Sequence, residues 1–411
     1  MRIIIPVLYQ TSDGSAPEGY LDSNPSSITA GTRSTQRLLW LDGLRGLIIV
    51  LMALDHASYF IARVHPGEFW GVPLPLYSDI HHFLTRFVTH FCAPGFFFLM
   101  GTSMILFTDS RRQIGWSDRD ITRFFALRGF ILIILQLLLE NVAWGLGMFS
   151  GTSHTTNPPG GAGEIPFLHF GVLYALGATM IFWSFFLRSG SALFASVSII
   201  AILATQVLIP VAEHAGFLYS PWLRLLLIPG KTGIWQVFYP FVPWLGLAGL
   251  GLVFGRLLLQ NRRRAYLIAL ICGTISLLTF GIFRAFGSFS DFHLTGDGWI
   301  GFFNLTKYPP SLAFILLTLG VDLLVLFFLS NVERLLQAWG QFLLVFGGSA
   351  LFFYLAHLYF YALIGLAFPN GTSFQLMYLF WLLGLVFLYP MCLWYRKFKE
   401  QKPPESVWRF F

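Results

Sequence analysis

The residues best suited to chemistry in this chain sit within or beside strongly apolar runs. They are Asp42 and Arg45, Asp55 and His56, Arg86 and His90, Glu140 and Asn141, Lys307 and Tyr308, and His357. An imidazole with an ordinary pKa near ~6.5 accepts and returns a proton at neutral pH, which suits His56 to serve as base or nucleophile in a group transfer. Asp55 precedes it directly and on a helix points about 100° away, which suits it to hold an acceptor or a partner side chain rather than the same imidazole. Arg86 and His90 are four apart and share a helix face. With Lys307 and Tyr308 they offer donors for an oxyanion or for hydroxyl groups of an acceptor. Arg45 offers a planar fork that fits phosphate oxygens.

The elements that position these residues must be membrane helices. Hydrophobic side chains make up 56% of the 411 residues and charged ones 11%, whereas soluble domains run near 45–50% apolar and about 25% charged. Collagen-like, disordered and disulfide-rich secreted classes are excluded on the same grounds. A crossing takes about 20 residues for a ~30 Å hydrocarbon core. Ten stretches qualify: 39–61, 82–107, 123–146, 166–187, 191–211, 236–258, 266–286, 310–330, 342–366 and 374–395. The expected fold class is an all-α integral membrane protein, a polytopic bundle of ten transmembrane helices. Residues 1–36 read as a flexible cytoplasmic tail, because their apolar start is too short for a signal-peptide core. Residues 37–396 read as the transmembrane domain and 397–411 as a cytoplasmic tail.

Lys and Arg in short loops favour the cytoplasm. An N-in, C-in arrangement puts 18 of the 26 inside and six outside, with Arg45 and Arg128 in the first turns of helices. The net charge of +7 is thereby topological, and no nucleic-acid partner is expected. Cys92, Cys272 and Cys392 lie in apolar runs without C-x-x-C spacing and read as small buried hydrophobes. No H-x-x-x-H pair falls on one helix, so no metal is expected.

In this topology Asp42 and Arg45 lie at the cytoplasmic end of the first helix, and Asp55-His56 lie roughly 16 Å farther out. Six helices place a His, Glu, Lys or Arg at that outer level, His169 included. Ionisable groups in a bilayer are costly, so such a layer marks a functional site by default. Each member also has a plain structural reading: Asp42–Arg45 as a helix-start ion pair, His169 as an interfacial histidine, Glu140 as a partner of Arg86, His81-His82 as solvated. The competing functional class is a proton-coupled transporter or flippase of a sugar or lipid-linked solute, although no inverted repeat is present. A non-catalytic scaffold would not need the layer.

The segment Leu41-Asp42-Gly43-Leu44-Arg45-Gly46-Leu47, followed by Leu51-Met52-Ala53-Leu54-Asp55-His56, resembles the signature of the transmembrane acyltransferase superfamily. That superfamily includes the acyltransferase family three O-acetylases and the heparan-alpha-glucosaminide N-acetyltransferase catalytic domain. Ala93-Pro94-Gly95-Phe96, Phe238-Tyr239-Pro240, Lys307-Tyr308-Pro309-Pro310 and Tyr354-Leu355-Ala356-His357 look like segments of bacterial relatives of the latter. The resemblance implies a multi-pass acetyltransferase of a bacterial inner membrane. It would take acetyl-CoA from the cytoplasm and acetylate a sugar amine or hydroxyl, in a carbohydrate or glycolipid, on the opposite side. His56 would be base or acetyl carrier with Asp55. Arg45 with Asp42 would lie on the acyl-CoA side. Arg86, His90, Glu140, Asn141, Lys307, Tyr308 and His357 would meet the acceptor, while homodimerisation stays open. The human-type enzyme carries an Asn where His56 stands and its active His farther along, which corresponds to His65. Between the two, His56 is preferred because it remains in the helix beside a carboxylate, whereas His65 sits in a Pro-Gly loop.

Overall fold

The computed structural model describes residues 38–411 except 78, 152–153, 156–157, 161–167, 215–219, 288, 403–405, 407 and 409–411. The predicted N-terminal tail, with Arg2, Arg33 and Arg37, and Arg409 of the C-terminal one lie outside the described residues.

α1 (Leu39–Ala57) runs directly into a π-turn (Ser58–Ala62). Beyond it β1 (Val64–His65) pairs in parallel with β2 (His154–Thr155). α2 (Ile80–Phe87) and α3 (Cys92–Gln113) follow one another with a break between them. α4 (Asp118–Leu135) starts at a capping box of Ser117 and Asp120, and a second π-turn (Gln136–Glu140) leads into α5 (Asn141–Phe149). Then come α6 (Val172–Ser184), α7 (Ser191–His214) and α8 (Pro221–Leu226). A small sheet joins β3 (Leu168–Phe170), β4 (Gly230–Thr232) and β5 (Trp235–Val237) in the order β3-β5-β4. α9 (Phe241–Gln260), α10 (Arg262–Ala285), α11 (Gly298–Phe303) and α12 (Leu312–Asn331) come next. α13 (Glu333–Trp339), α14 (Gln341–Gly348), α15 (Ala350–Gly365) and α16 (Phe374–Glu400) complete the chain.

The chain is 74% helical and is an all-α polytopic membrane protein. Among the described residues eight helices are long and apolar enough to cross a bilayer. The predicted 342–366 span is instead two helices, α14 and α15, bent by 93° at Ser349. Side chains take up carbonyls near the bend: Ser349 Oγ donates to Val345 at 2.8 Å, Lys399 Nζ to Gly348 at 3.2 Å and Arg45 Nη1 to Gly347 at 3.3 Å. The predicted 166–187 span is the shorter α6, because Leu168–Phe170 are drawn into the sheet. α16 continues to Glu400, past the point where a tail was expected.

α1 is the most enclosed span, with 78% of its most apolar stretch buried against 17% for α10. It meets α14 backbone to backbone. A Cβ at Gly46 would run into the Leu343 carbonyl, and one at Gly347 into that of Asp42. The R-G pair of the first motif thus has two tasks: Gly46 admits α14 while Arg45 reaches across it. On the outward α10, Cys272 is exposed, which corrects its reading as a buried hydrophobe; Cys92 and Cys392 are buried.

Candidate active site

Each π-turn contributes one side chain, Tyr59 and Glu140, to a cavity of about 350 Å³. Such turns re-aim the side chains around them. Asp55, His56, Glu140, His169, Lys307 and Tyr308 all line it, as does His65. Aromatic side chains form much of the wall: Tyr59, Phe69, Trp144, Phe238, Tyr239 and Tyr354.

Asp55 does not bond to its neighbour His56. Its Oδ2 lies 3.2 Å from Nε2 of His65, and its Oδ1 accepts from Arg86 Nη1 at 2.7 Å and Thr89 Oγ1 at 3.0 Å. Nε2 of His65 also lies 3.2 Å from Arg86 Nη1, which can only donate, but that nitrogen already donates to Asp55 Oδ1 at 2.7 Å; the tautomer that satisfies Asp55 Oδ2 carries the proton on Nε2 and keeps a lone pair on Nδ1. Burial pushes the His65 imidazole below the ordinary histidine range, and the Asp55 carboxylate opposes that shift. The carboxylate that favours His56 in the sequence belongs, in space, to His65.

Arg86 bridges a second acid, donating to Glu68 from Nε at 2.9 Å and from Nη2 at 2.7 Å. Glu68 is fully buried. Burial, which would raise its carboxyl, is outweighed by Arg86 and by His90, 3.4 Å away, and the group is held well below the usual range. Its backbone carbonyl accepts from the amides of Lys307 at 2.9 Å and Tyr308 at 3.0 Å. Glu68 therefore ties the loop after His65 both to α2 and to the lead-in of α12.

His56 has a different partner. His357 Nδ1 donates to the Phe353 carbonyl at 2.8 Å, so its Nε2 accepts from Nδ1 of His56 at 2.7 Å. That leaves the lone pair of His56 on Nε2. The two rings are nearly parallel, with centroids 4.9 Å apart. Glu140 is bound by Trp144 Nε1 at 3.2 Å and not by Arg86, contrary to its plain reading as an Arg86 partner. Burial pushes His169 down to about 4. Asn141 turns its amide to the carbonyls of His169 and Gln136 at 2.7 and 3.3 Å. Arg86, His90, Asn141 and His357 stand behind the lining, one layer from the cavity. His81 is exposed and His82 half-buried, both on the Asp79 cap.

A second cavity of about 360 Å³ holds Arg45, Arg128 and Lys399 among methionine, leucine and phenylalanine side chains. Arg45 reaches Asp42 at 3.1 Å and Ser103 at 3.0 Å, while Nε of Arg128 is buried without a partner among the described residues. The two cavities share Met52, Phe96, Val172 and Tyr354, so they abut at a waist formed by these four side chains.

Glu68, Arg128, Lys399 and Lys231, which lines the cavity of His65, carry no role as site residues in the reading of the sequence. Loop position and topology account for each of them, and only for Glu68 does a signal exist: a lone acid among Pro, Gly and aromatic residues three positions after a histidine. Among the described residues no group of three or more His, Cys, Asp or Glu is arranged to hold a metal ion.

The family described as "Heparan-alpha-glucosaminide N-acetyltransferase, catalytic" matches residues 37–280, more than half of the chain. The protein belongs to that family, and with its apolar helices this makes it a multi-pass membrane acetyltransferase. No curated protein matches the chain.

Proposed function

We propose that this acetyltransferase takes acetyl-CoA into the cavity of Arg45, Arg128 and Lys399 and acetylates a sugar amine or hydroxyl in the cavity of His65. The observation that carries this reading is the pair of abutting cavities, one rimmed by cations and one holding an imidazole backed by a carboxylate. The cations suit the phosphates of CoA, and the methionine-rich wall suits its pantetheine arm. The aromatic wall of the other cavity suits the faces of a sugar ring.

In the reaction, Nδ1 of His65 takes the proton of the acceptor as its nitrogen or oxygen attacks the thioester carbonyl. The new bond to carbon forms, the C–S bond breaks and CoA leaves as thiolate. Asp55 holds the imidazole in the needed tautomer and stabilises the imidazolium. Lys307, which lines the same cavity, is the cation nearest in role to an oxyanion donor. The excess of Lys and Arg on one side supports N-in, C-in orientation, with the CoA cavity facing the cytoplasm.

A second assignment of the base has its own observation. His56 also keeps a lone pair, on Nε2, with Nδ1 committed to His357. Reconstituted proteoliposomes separate these possibilities. Radiolabelled acetyl-CoA supplied on one side should label an amino sugar on the other. His65→Ala should abolish labelling with acetyl-CoA binding retained. Labelling that survives in His65→Ala but not in His56→Ala would move the base to His56. Solute movement without any labelled acceptor would return the chain to the carrier class.

A further inference from the structure

We propose that Arg63 is the positioning residue of the outer site, fixing where the chain leaves α1 so that His65 returns onto Asp55. The proposal rests on the reading of His65 as the base.

Arg63 is fully buried, and among the described residues it is the one non-glycine with positive φ, at 60°. L side chains are disfavoured in that left-handed conformation, which glycine adopts freely. A buried cation with disfavoured backbone must do something with its side chain that glycine could not.

The guanidinium donates from Nη1 to the Gly147 carbonyl at 2.5 Å and from Nη2 to the Gly365 carbonyl at 2.9 Å and Ser150 Oγ at 2.7 Å. Its Nε donates to the Phe368 carbonyl at 3.2 Å. Gly147 lies in the last turn of α5, and Gly365 is the last residue of α15. Both helix ends present the negative pole of their dipoles, so the cation is satisfied by carbonyls. The three segments joined here carry the site. α5 follows Glu140 and contains Trp144, α15 carries Tyr354 and His357, and the backbone of Arg63 stands two residues before His65. A rigid fork spans them in a way that a single ammonium does not.

The groups facing His65 are Asp55, His56 and Tyr59 from α1 and its π-turn, Arg86 from α2 and Lys307 ahead of α12. Of these, Asp55 alone carries a negative charge and so supports the protonated form. Loosening His65 from Asp55 therefore weakens the base, and the acid limb of the activity profile moves to lower pH. A residue that contributes only to global stability would leave that limb in place.

The test uses the full chain in proteoliposomes, with acetyl-CoA as donor and an amino sugar as acceptor. Arg63→Gly frees the backbone and deletes the fork. It should retain acetyl-CoA binding, lose about 100-fold in kcat and shift the acid limb downward, with a Tm lowered by the carbonyls left without a donor. Millimolar guanidinium chloride, against a sodium chloride control, should restore part of that loss. Arg63→Lys should fold, keep its KM for acetyl-CoA and show the same shift in lesser degree. Wild-type kcat and pH limb in Arg63→Gly would overturn the proposal, as would a loss with unshifted limb and no rescue. If Arg63→Gly fails to fold, an unchanged kcat and limb in Arg63→Lys overturn it. His65→Ala run alongside keeps the two readings apart: activity that survives there refutes the base, whereas an inactive His65→Ala with unaffected Arg63 variants refutes only the role of Arg63.

Discussion

The two cavities are nearly equal in volume, about 350 and 360 Å³, but their polar groups are held differently. In the outer one, Asp55 is committed to His65, Arg86 and Thr89 at once, and Glu68 grips Arg86 through both oxygens. In the inner one, Arg45 is held by Asp42, Ser103 and the Gly347 carbonyl and Lys399 by the Gly348 carbonyl, but the walls are flexible apolar side chains and Nε of Arg128 has no partner among the described residues. The outer site is organised before any ligand arrives, which suits the reaction centre proposed for it. The inner one supplies charge and adaptable surface, which serves binding. Changes on the outer side should therefore act on kcat, and changes on the inner side on KM.

The sharpest way to break this contrast is His65→Ala. General-base catalysis is worth about 10²–10⁴-fold, so kcat should fall by about 10³-fold with the Kd for acetyl-CoA unchanged. A parallel loss of CoA binding, measured by calorimetry, would erase the division between the cavities.

Asp55→Asn comes next, with an expected loss of about 10²-fold from the wrong imidazole tautomer. It also carries a pH signature. In the folded protein His65 titrates below its ordinary range, so activity persists below pH ~6.5 and is lost as pH falls through the lowered value. Asp55 raises that value, so its neutralisation should move the acid limb of kcat/KM farther down. A limb moving upward would contradict the contact between the two residues.

On the inner side, Arg128→Gln and Lys399→Gln should each raise KM for acetyl-CoA about tenfold with kcat nearly constant. A charged hydrogen bond is worth about 1.5–3 kcal/mol when buried, less at a wet rim. The effect should shrink in high salt, and dephospho-CoA thioesters should be less sensitive to it. A fall in kcat instead would make these cations part of the reaction centre.

The smallest effect is expected at the waist. Met52→Ala removes one of the four shared side chains and should change acetyl transfer by no more than about threefold, because methionine is readily replaced in apolar walls. It should improve use of butyryl-CoA relative to acetyl-CoA. An unchanged donor preference would mean that the acyl group does not pass between the cavities there.

Much of the fold is legible in the sequence because lipid imposes one rule on every span: about 20 apolar residues with internal hydrogen bonds. Eight of the ten predicted stretches satisfy it outright. The two that do not, 166–187 and 342–366, owe their shape to Leu168–Phe170 joining β5 and to Arg45, Ser349 and Lys399 supporting a bend, which are contacts between distant segments. For the site, the sequence brings out the polar layer but not its pairings. Asp55 and His56 are neighbours in the chain, yet one turns to His65 and the other to His357, 301 positions away.

Composition and spacing are enough for the membrane class, the central role of the first helix and the set of ionisable residues kept in apolar surroundings at a cost. Periodicity fixes which side chains share a face of one helix, and composition fixes what can lie in lipid. Neither fixes how one helix is rotated or at what depth it meets another. Packing sets the rest: the carboxylate of α1 meets a histidine beyond the helix end, Glu68 pairs with Arg86, and Lys399 lines the same cavity as Arg45 from the far end of the chain. Each of these depends on backbones brought close by glycines and on buried charges that must find partners wherever the packed helices place them.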